Sequence, residues 1–158
     1  MTPPLYPIYL SLAHKTVLIV GGGNLAAQKL RTLETSGADV VLVAPRILPR
    51  CQTWSGTGTL RTHSRPFAAQ DLDGAAMVFA ATDDAGLNHQ VVDSARRAGV
   101  LANAVDDPQY CDFYTPAVVR RGAVTLAISS DGRFPGITRA VREVLDELLP
   151  EHDDALVD

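Results

Sequence analysis

The stretch Thr16-Val-Leu-Ile-Val-Gly-Gly-Gly-Asn-Leu-Ala26 decides the fold. Val17 to Val20 run without polar alternation, the pattern of a strand buried on both faces, and the strand predicted here spans Thr16 to Val20. The run ends in Gly21-x-Gly23-x-x-Ala26. A helix is predicted from about Leu25 to Ser36, with Ala26, Leu30 and Leu33 at i, i+4 and i+7 on one face and Gly37 as its stop. Between a strand and a helix this spacing has a physical reading. Gly21 permits the tight turn, Gly23 leaves room for backbone to approach a pyrophosphate, and the small Ala26 lets helix and sheet pack closely. The helix start then offers N–H groups to phosphate. The alternative is a glycine-rich turn in an unrelated α/β domain, such as a flavodoxin-like one.

Outward from this core, short apolar runs alternate with helical patterns, the form of a parallel sheet with crossover helices. Val40 to Val43 reads as the second strand, Thr59 to Thr62 as a weak one and Met77 to Ala81 as another buried strand. Thr82-Asp83-Asp84 suits a helix N-terminus, the following helix turns Leu87, Val91 and Ala95 inward until Gly99, and Val100 to Val105 supplies a fifth strand. The expected fold class is α/β, a Rossmann-type parallel sheet. Beyond Asp106-Asp107-Pro108 come aromatics (Tyr110, Phe113, Tyr114), a strand at Val124 to Ile128 and a helix after Pro135. In that helix Ile137, Ala140, Val141, Val144, Leu145 and Leu148 form one apolar stripe. A strand and an amphipathic helix outside the first sheet need a partner surface, and a second copy making a homodimer is expected. The division expected is a dinucleotide-binding domain over residues 1–112, a small dimerisation and substrate-binding element over 113–150, and an acidic, disordered tail over 151–158.

Composition excludes several classes. At 158 residues and 46% hydrophobic content the chain can bury one complete core. Its apolar runs stop well short of the roughly 20 residues a membrane-spanning helix needs, so no membrane partner is expected. The start, Met-Thr-Pro-Pro-Leu-Tyr, lacks the basic and apolar regions of a secretory signal, and a cytoplasmic protein is expected. Cys51 and Cys111 have neither CxxC spacing nor a neighbouring histidine, so no metal site and two reduced thiols are expected. Of the net charge of −4, all comes from Glu151, Asp153, Asp154 and Asp158; residues 1–150 balance fourteen acids against fourteen bases. No basic face for nucleic acid follows. One local asymmetry stands out: Arg120, Arg121, Arg133, Arg139 and Arg142 against Asp131 alone from Arg120 to Arg142.

Four further positions are candidates. The end of the second strand, where a dinucleotide fold usually carries an acid for the adenosine ribose, holds Ala44-Pro45-Arg46, so Arg46 either favours a 2′-phosphate or is a solvated loop residue. Asp106 lies at the carboxyl edge of the fifth strand, where it could accept a proton from a substrate losing a hydride, or simply form the turn before Asp107-Pro108. Ser129-Ser130-Asp131-Gly132 with the arginines could make an anion-binding corner or a capped helix with a solvated basic face. His14, His63, His89 and His152 have no ligand spacing and read as surface histidines.

The chain resembles one family closely, the N-terminal half of siroheme synthase and its free-standing relatives, the precorrin-2 dehydrogenases, some of which also insert iron. The likeness rests on Leu5-Tyr-Pro-Ile-Tyr-Leu10, Val17-Leu-Ile-Val-Gly-Gly-Gly23, Ala27-x-Lys29, Val43-Ala-Pro45, Ala80-Ala-Thr-Asp-Asp84 with Asn88, Asn103-x-Val105-Asp106, Phe113-x-x-Pro-Ala117 and Ala127-Ile-Ser-Ser130. It implies NAD-dependent removal of a hydride and a proton from the tetrapyrrole precorrin-2, giving sirohydrochlorin. It puts the family's important aspartate on Asp106. The cofactor contacts it implies fall on Gly21, Gly23, Asn24, Leu25, Pro45 and Arg46, with Thr82 and Asp83 beside them. A serine that is phosphorylated in siroheme synthase maps to Ser130, and Ser130, Arg120, Arg133 and Arg139 are expected to meet the substrate's carboxylates. The family commonly reads Gly-Gly-(Lys/Thr)-Ser-Pro where this chain has Asp131-Gly-Arg-Phe-Pro135. The chain also stops before the further helical domain and the methyltransferase half of longer relatives, which counts against iron chelation. A sirohydrochlorin chelatase using Asp106, and a non-catalytic NAD-sensing module, are the competing readings.

Overall fold

The computed structural model describes residues 4–105, 107–131 and 134–149. Two compact units appear, Ile8–Phe113 and a second formed by the residues from Tyr114 on together with those before Ile8.

The larger unit is a five-stranded parallel sheet in the order β3-β2-β1-β4-β5. The strands are β1 (Thr16–Val20), β2 (Asp39–Val43), β3 (Leu60–His63), β4 (Ala75–Ala80) and β5 (Leu101–Ala104), with helices α1 (Asn24–Leu33) and α2 (Ala85–Ala98). The missing polar alternation now has its cause. Val17 and Ile19 of β1 join a core with Ala26, Ala27, Leu30 and Leu33 of α1, while Leu18 and Val20 join another with Val91, Val92 and Ala95 of α2. Both faces of each inner strand are therefore apolar.

The ends of the helices follow their side chains. Helix α1 stops at Leu33, three residues earlier than predicted, where the chain tightens into i→i−3 bonds and Ser36 takes over the Leu33 carbonyl, its N–H and Oγ donating to it at 2.9 and 2.6 Å. Helix α2 begins where Asp84 Oδ1 accepts the Leu87 N–H at 3.0 Å and ends at left-handed Gly99, with Arg96 and Arg97 in its last turn facing the negative end of the dipole.

The edge beyond β5 is closed by the chain itself. Asp112 N–H donates to Ala102 O at 2.8 Å, its Oδ2 accepts the Ala102 N–H at 3.0 Å, and Asn103 Nδ2 donates to Phe113 O at 2.8 Å. The exposed side of an edge strand is thereby satisfied locally.

The smaller unit is a hairpin, β6 (Ala117–Arg121) and β7 (Val124–Ile128), antiparallel and in register from Ala117↔Ile128 to Arg121↔Val124, with helix α3 (Pro135–Leu148) against it. Only β7 and α3 are predicted from the sequence. The two-residue turn at Gly122-Ala123, with Gly122 at φ +52°, is the signal for β6. The apolar stripe of α3 lies open: Ile137, Val141, Val144 and Leu148 are 40–72% exposed. The acidic tail expected over 151–158 lies outside the described residues.

Candidate functional site: the glycine-turn cavity

In the order β3-β2-β1-β4-β5, the strand order reverses at β1, β2 and β3 being laid down on one side and β4 and β5 on the other, and open α/β sheets bind ligands at the carboxyl ends of the strands beside such a switch. A cavity of about 810 Å³ lies there, within the usual span of roughly 300–1,000 Å³ for small-molecule sites. Gly21, Gly23, Asn24, Leu25, Pro45, Arg46, Thr82 and Asp83, eight residues expected from the sequence, all line it, together with Gly22, Leu48, Asp84 and Leu87 among others.

The turn after β1 has almost no spare volume. Gly21 adopts φ +129°, and a Cβ there would lie 2.3 Å from Ala81 O. A Cβ on Gly22 would lie 2.2 Å from Arg46 O. Gly22, to which the motif assigns nothing, is thus where the segment after β2 presses on the turn. Leu48 N–H donates to Gly22 O at 2.9 Å, and the buried Cys51 thiol lies 3.4–3.5 Å from Gly22 O and Gly23 O. Burial pushes that thiol's pKa up, so Cys51 is a neutral wedge behind the turn rather than a nucleophile.

Gly23 behaves differently. It is the N-cap of α1, at φ −96°, and a Cβ there would meet nothing within 4 Å. The first helical bond runs from Ala27 N–H to Gly23 O at 3.1 Å, so the N–H groups of Asn24, Leu25 and Ala26 have no intrahelical acceptor. A small open space, a helix N-terminus and an unobstructed backbone suit a phosphate.

The opposite wall is built by Asn88, which is buried. Its Oδ1 accepts from Thr82 N–H at 3.1 Å and Thr82 Oγ1 at 2.7 Å, and its Nδ2 donates to Thr82 O at 3.1 Å. All polar groups of Thr82 are thereby tied down, leaving Asp83 exposed at the rim. The sequence marks Asn88 as part of the family pattern and assigns it no role. Pro45 and Arg46 are exposed at the far end.

The remaining expected residues lie elsewhere. Asp106 and Arg133 are outside the described residues; on either side of Asp106, Val105 N–H donates to Ala80 O at 3.0 Å and Asp107 N–H to Ala104 O at 3.2 Å. In the smaller unit Ser130 Oγ accepts the Phe134 N–H at 3.0 Å, and Arg120 is exposed on β6. The arginine excess is partly neutralised by α3 itself. Arg139 Nε meets Glu143 Oε1 at 2.8 Å, and Arg121 and Arg142 both reach Asp146, at 3.1 and 3.2 Å. His89, with 36% of its side chain exposed, lies at the surface as expected but has partners there. Its ring stacks on Tyr110 at 3.7 Å and its Nε2 lies 2.8 Å from Asp107 Oδ2. Among the described residues no cluster of His, Cys, Asp and Glu could hold a metal ion, and no helix is long and apolar enough to cross a membrane.

A parallel sheet in this order, with a glycine-lined cavity at its switch point, defines a dinucleotide-binding protein of the Rossmann type. Residues 8–117 match the family described as "Putative NAD(P)-binding", and the chain belongs to this NAD(P)-binding family. It is 37% identical over 145 residues to a siroheme synthase of Nitrosococcus oceani and 42% identical over 144 residues to one of Photorhabdus laumondii. These alignments take in 92% and 91% of this chain, but the chain spans only about a third, 31%, of either relative. Among solved structures it is similar to SirC, a precorrin-2 dehydrogenase, with TM-score 0.77 and 28% identity over 93% of this chain and 72% of that one.

Proposed function

We propose that the protein is an NAD-dependent dehydrogenase that converts precorrin-2 to sirohydrochlorin in siroheme biosynthesis. The observation that carries this reading is the likeness to a precorrin-2 dehydrogenase over 93% of the chain, which takes in the smaller unit as well as the dinucleotide-binding one. A binding module alone would need only the latter.

NAD, when bound, supplies the hydride acceptor. The chain's own residues do the rest. The N–H groups at the start of α1 and the open backbone at Gly23 hold the pyrophosphate, while Pro45 and Arg46 border the adenosine end in place of the usual ribose-binding acid. Thr82, fixed by Asn88, and Asp83 form the wall on the β4 side. Asp106, at the carboxyl edge of β5, accepts the proton lost as the hydride departs. Ser130, Arg120, Arg133 and Arg139 are assigned to the substrate's carboxylates; Arg120 is the freest of the described three, since Arg139 already pairs with Glu143.

Residues 1–112 are assigned to the cofactor and 113–150 to dimerisation and substrate. The open stripe of α3 supports a homodimer, and the protein is assigned to the cytoplasm, where the pyridine nucleotide would be met.

The test is anaerobic incubation with precorrin-2 and NAD, following the sirohydrochlorin spectrum, with Asp106→Ala alongside. Product with the wild-type protein, reduced at least about a hundredfold in the variant, is expected. Full activity in Asp106→Ala would remove Asp106 from the reaction.

A further inference from the structure

We propose that Arg46 is a specificity-determining residue that admits a 2′-phosphate on the adenosine ribose, so that the cavity takes NADP as well as NAD. The proposal deepens the function given above and rests on its reading of the cavity as the cofactor site.

The place of Arg46 is fixed by backbone. Gly21 N–H donates to Val43 O at 2.9 Å and Ala44 N–H to His63 O at 3.2 Å, so the chain is held on both sides as it leaves β2. The next residues pack on the glycine turn. A Cβ on Gly22 would collide with Arg46 O and lie 2.8 Å from Ile47 Cα, and Leu48 N–H donates to Gly22 O at 2.9 Å. Arg46 is therefore not carried on a free loop. Its backbone is pressed against the turn that meets the pyrophosphate, and the residue is exposed and lines the cavity.

In a dinucleotide fold, the acid that usually ends the second strand does two things. It accepts hydrogen bonds from the ribose hydroxyls, and its charge rejects a 2′-phosphate. Ala44, Pro45 and Arg46 stand at these positions here. The repulsive charge is replaced by a planar cation whose fork matches phosphate oxygens.

The surrounding charge has one sign. From Ala44 to Arg65 the chain carries Arg46, Arg50, Arg61 and Arg65 and no acid. Arg65 is taken by Asp71, and Arg61 acts on Asp39 at the start of β2. Among the described residues no carboxylate pairs with Arg46. The acids that line the cavity, Asp83 and Asp84, follow β4, on the other side of β1 from β2. Two strand spacings, about 10 Å, separate the ends of β2 and β4. Asp84 is also occupied in accepting the Leu87 N–H. The cavity is thus cationic at its adenosine end, where a 2′-phosphate would lie.

The experiment is calorimetric titration of NAD and NADP, without precorrin-2, into wild type, Arg46→Ala, Arg46→Lys and Arg46→Asp. Both nucleotides are titrated into each protein, so a general loss of affinity cancels in their ratio. Wild type should bind NADP within about tenfold of NAD. Arg46→Ala should lower affinity for NADP relative to NAD by about tenfold or more, since a charge-assisted pair is lost. Arg46→Asp, which adds repulsion, should lower it by about a hundredfold or more. Arg46→Lys, which keeps the charge without the fork, should fall between wild type and Arg46→Ala. Wild-type protein that binds NAD but holds NADP more than about tenfold more weakly, or a ratio unmoved in Arg46→Ala and Arg46→Asp, would overturn the proposal. Binding of neither nucleotide would overturn the cofactor reading of the cavity instead. Protein that binds NAD and forms no sirohydrochlorin would overturn the dehydrogenase reading, and the ratios would still judge Arg46.

Discussion

A Cβ built on Gly21 would lie 2.3 Å from the carbonyl oxygen of Ala81, so the turn after β1 and the end of β4 meet with no room for any side chain. Gly23, two residues on, faces open space. The same substitution should therefore act through different routes at the two positions. Gly21→Ala combines a backbone clash with a left-handed φ and should destabilise the fold by about 2 kcal/mol or more, losing NAD binding with it. Gly23→Ala should cost about 1 kcal/mol at most, yet place a methyl group where phosphate is expected, weakening NAD binding by about tenfold or more. Urea unfolding and NAD titration of both variants separate the two routes.

Asn88 should matter for stability and for cofactor affinity together. Asn88→Ala leaves the Thr82 N–H and carbonyl without their partner, at about 1–3 kcal/mol. The freed wall at Thr82–Asp83 should also raise Kd for NAD. A lowered urea midpoint with an unchanged Kd would show that the wall plays no part in binding.

Acid should weaken the larger unit partly through Asp71. Hydrogen bonds from Arg65, chiefly, and from Ala68 N–H hold its carboxyl below the ordinary value of 3.8. A carboxyl whose pKa is depressed in the folded state stabilises above its unfolded pKa and loses that contribution as pH falls through the folded one. Between about pH 4 and pH 2, Tm of the wild type should fall more steeply than that of Asp71→Asn. Parallel curves would deny Asp71 this role.

The open stripe of α3 should be the dimer contact. Val144 is 53% exposed in the single chain, and Val144→Glu puts a charge at the centre of that surface. Sedimentation should give a dimer for wild type and a monomer for the variant. A monomeric wild type would leave the stripe to another partner.

Much of this was legible in the residues. Thr16–Val20 and Val124–Ile128 emerge with the bounds their patterns predict, since an apolar run bordered by Gly or a charged turn leaves little choice. All eight expected cofactor residues border one cavity because the glycine spacing, the end of β2 and the Thr-Asp-Asp cap are properties of strand ends, and a parallel sheet gathers strand ends on one edge. The rest depends on contacts between residues far apart in sequence. Nothing local in Gly22 reveals the pressure of Arg46 O, and no spacing reveals that His89 meets Tyr110 twenty-one positions later. The strand β6 is hidden for another reason: Arg120, read as a ligand for carboxylates, draws attention from the Val-Val run before a glycine turn. The pairing of Arg139 and Arg142 with acids one helical turn on is, by contrast, an i,i+4 pattern that the sequence displays.

The proposed function has this chain move a hydride from a tetrapyrrole to NAD, and the most direct measurement is the stoichiometry of that transfer. Purified protein, precorrin-2 and excess NAD, mixed without oxygen, should yield one NADH for each sirohydrochlorin, read from the two absorbances in the same cuvette. Sirohydrochlorin appearing without NADH, or NAD binding with neither product formed, would contradict it.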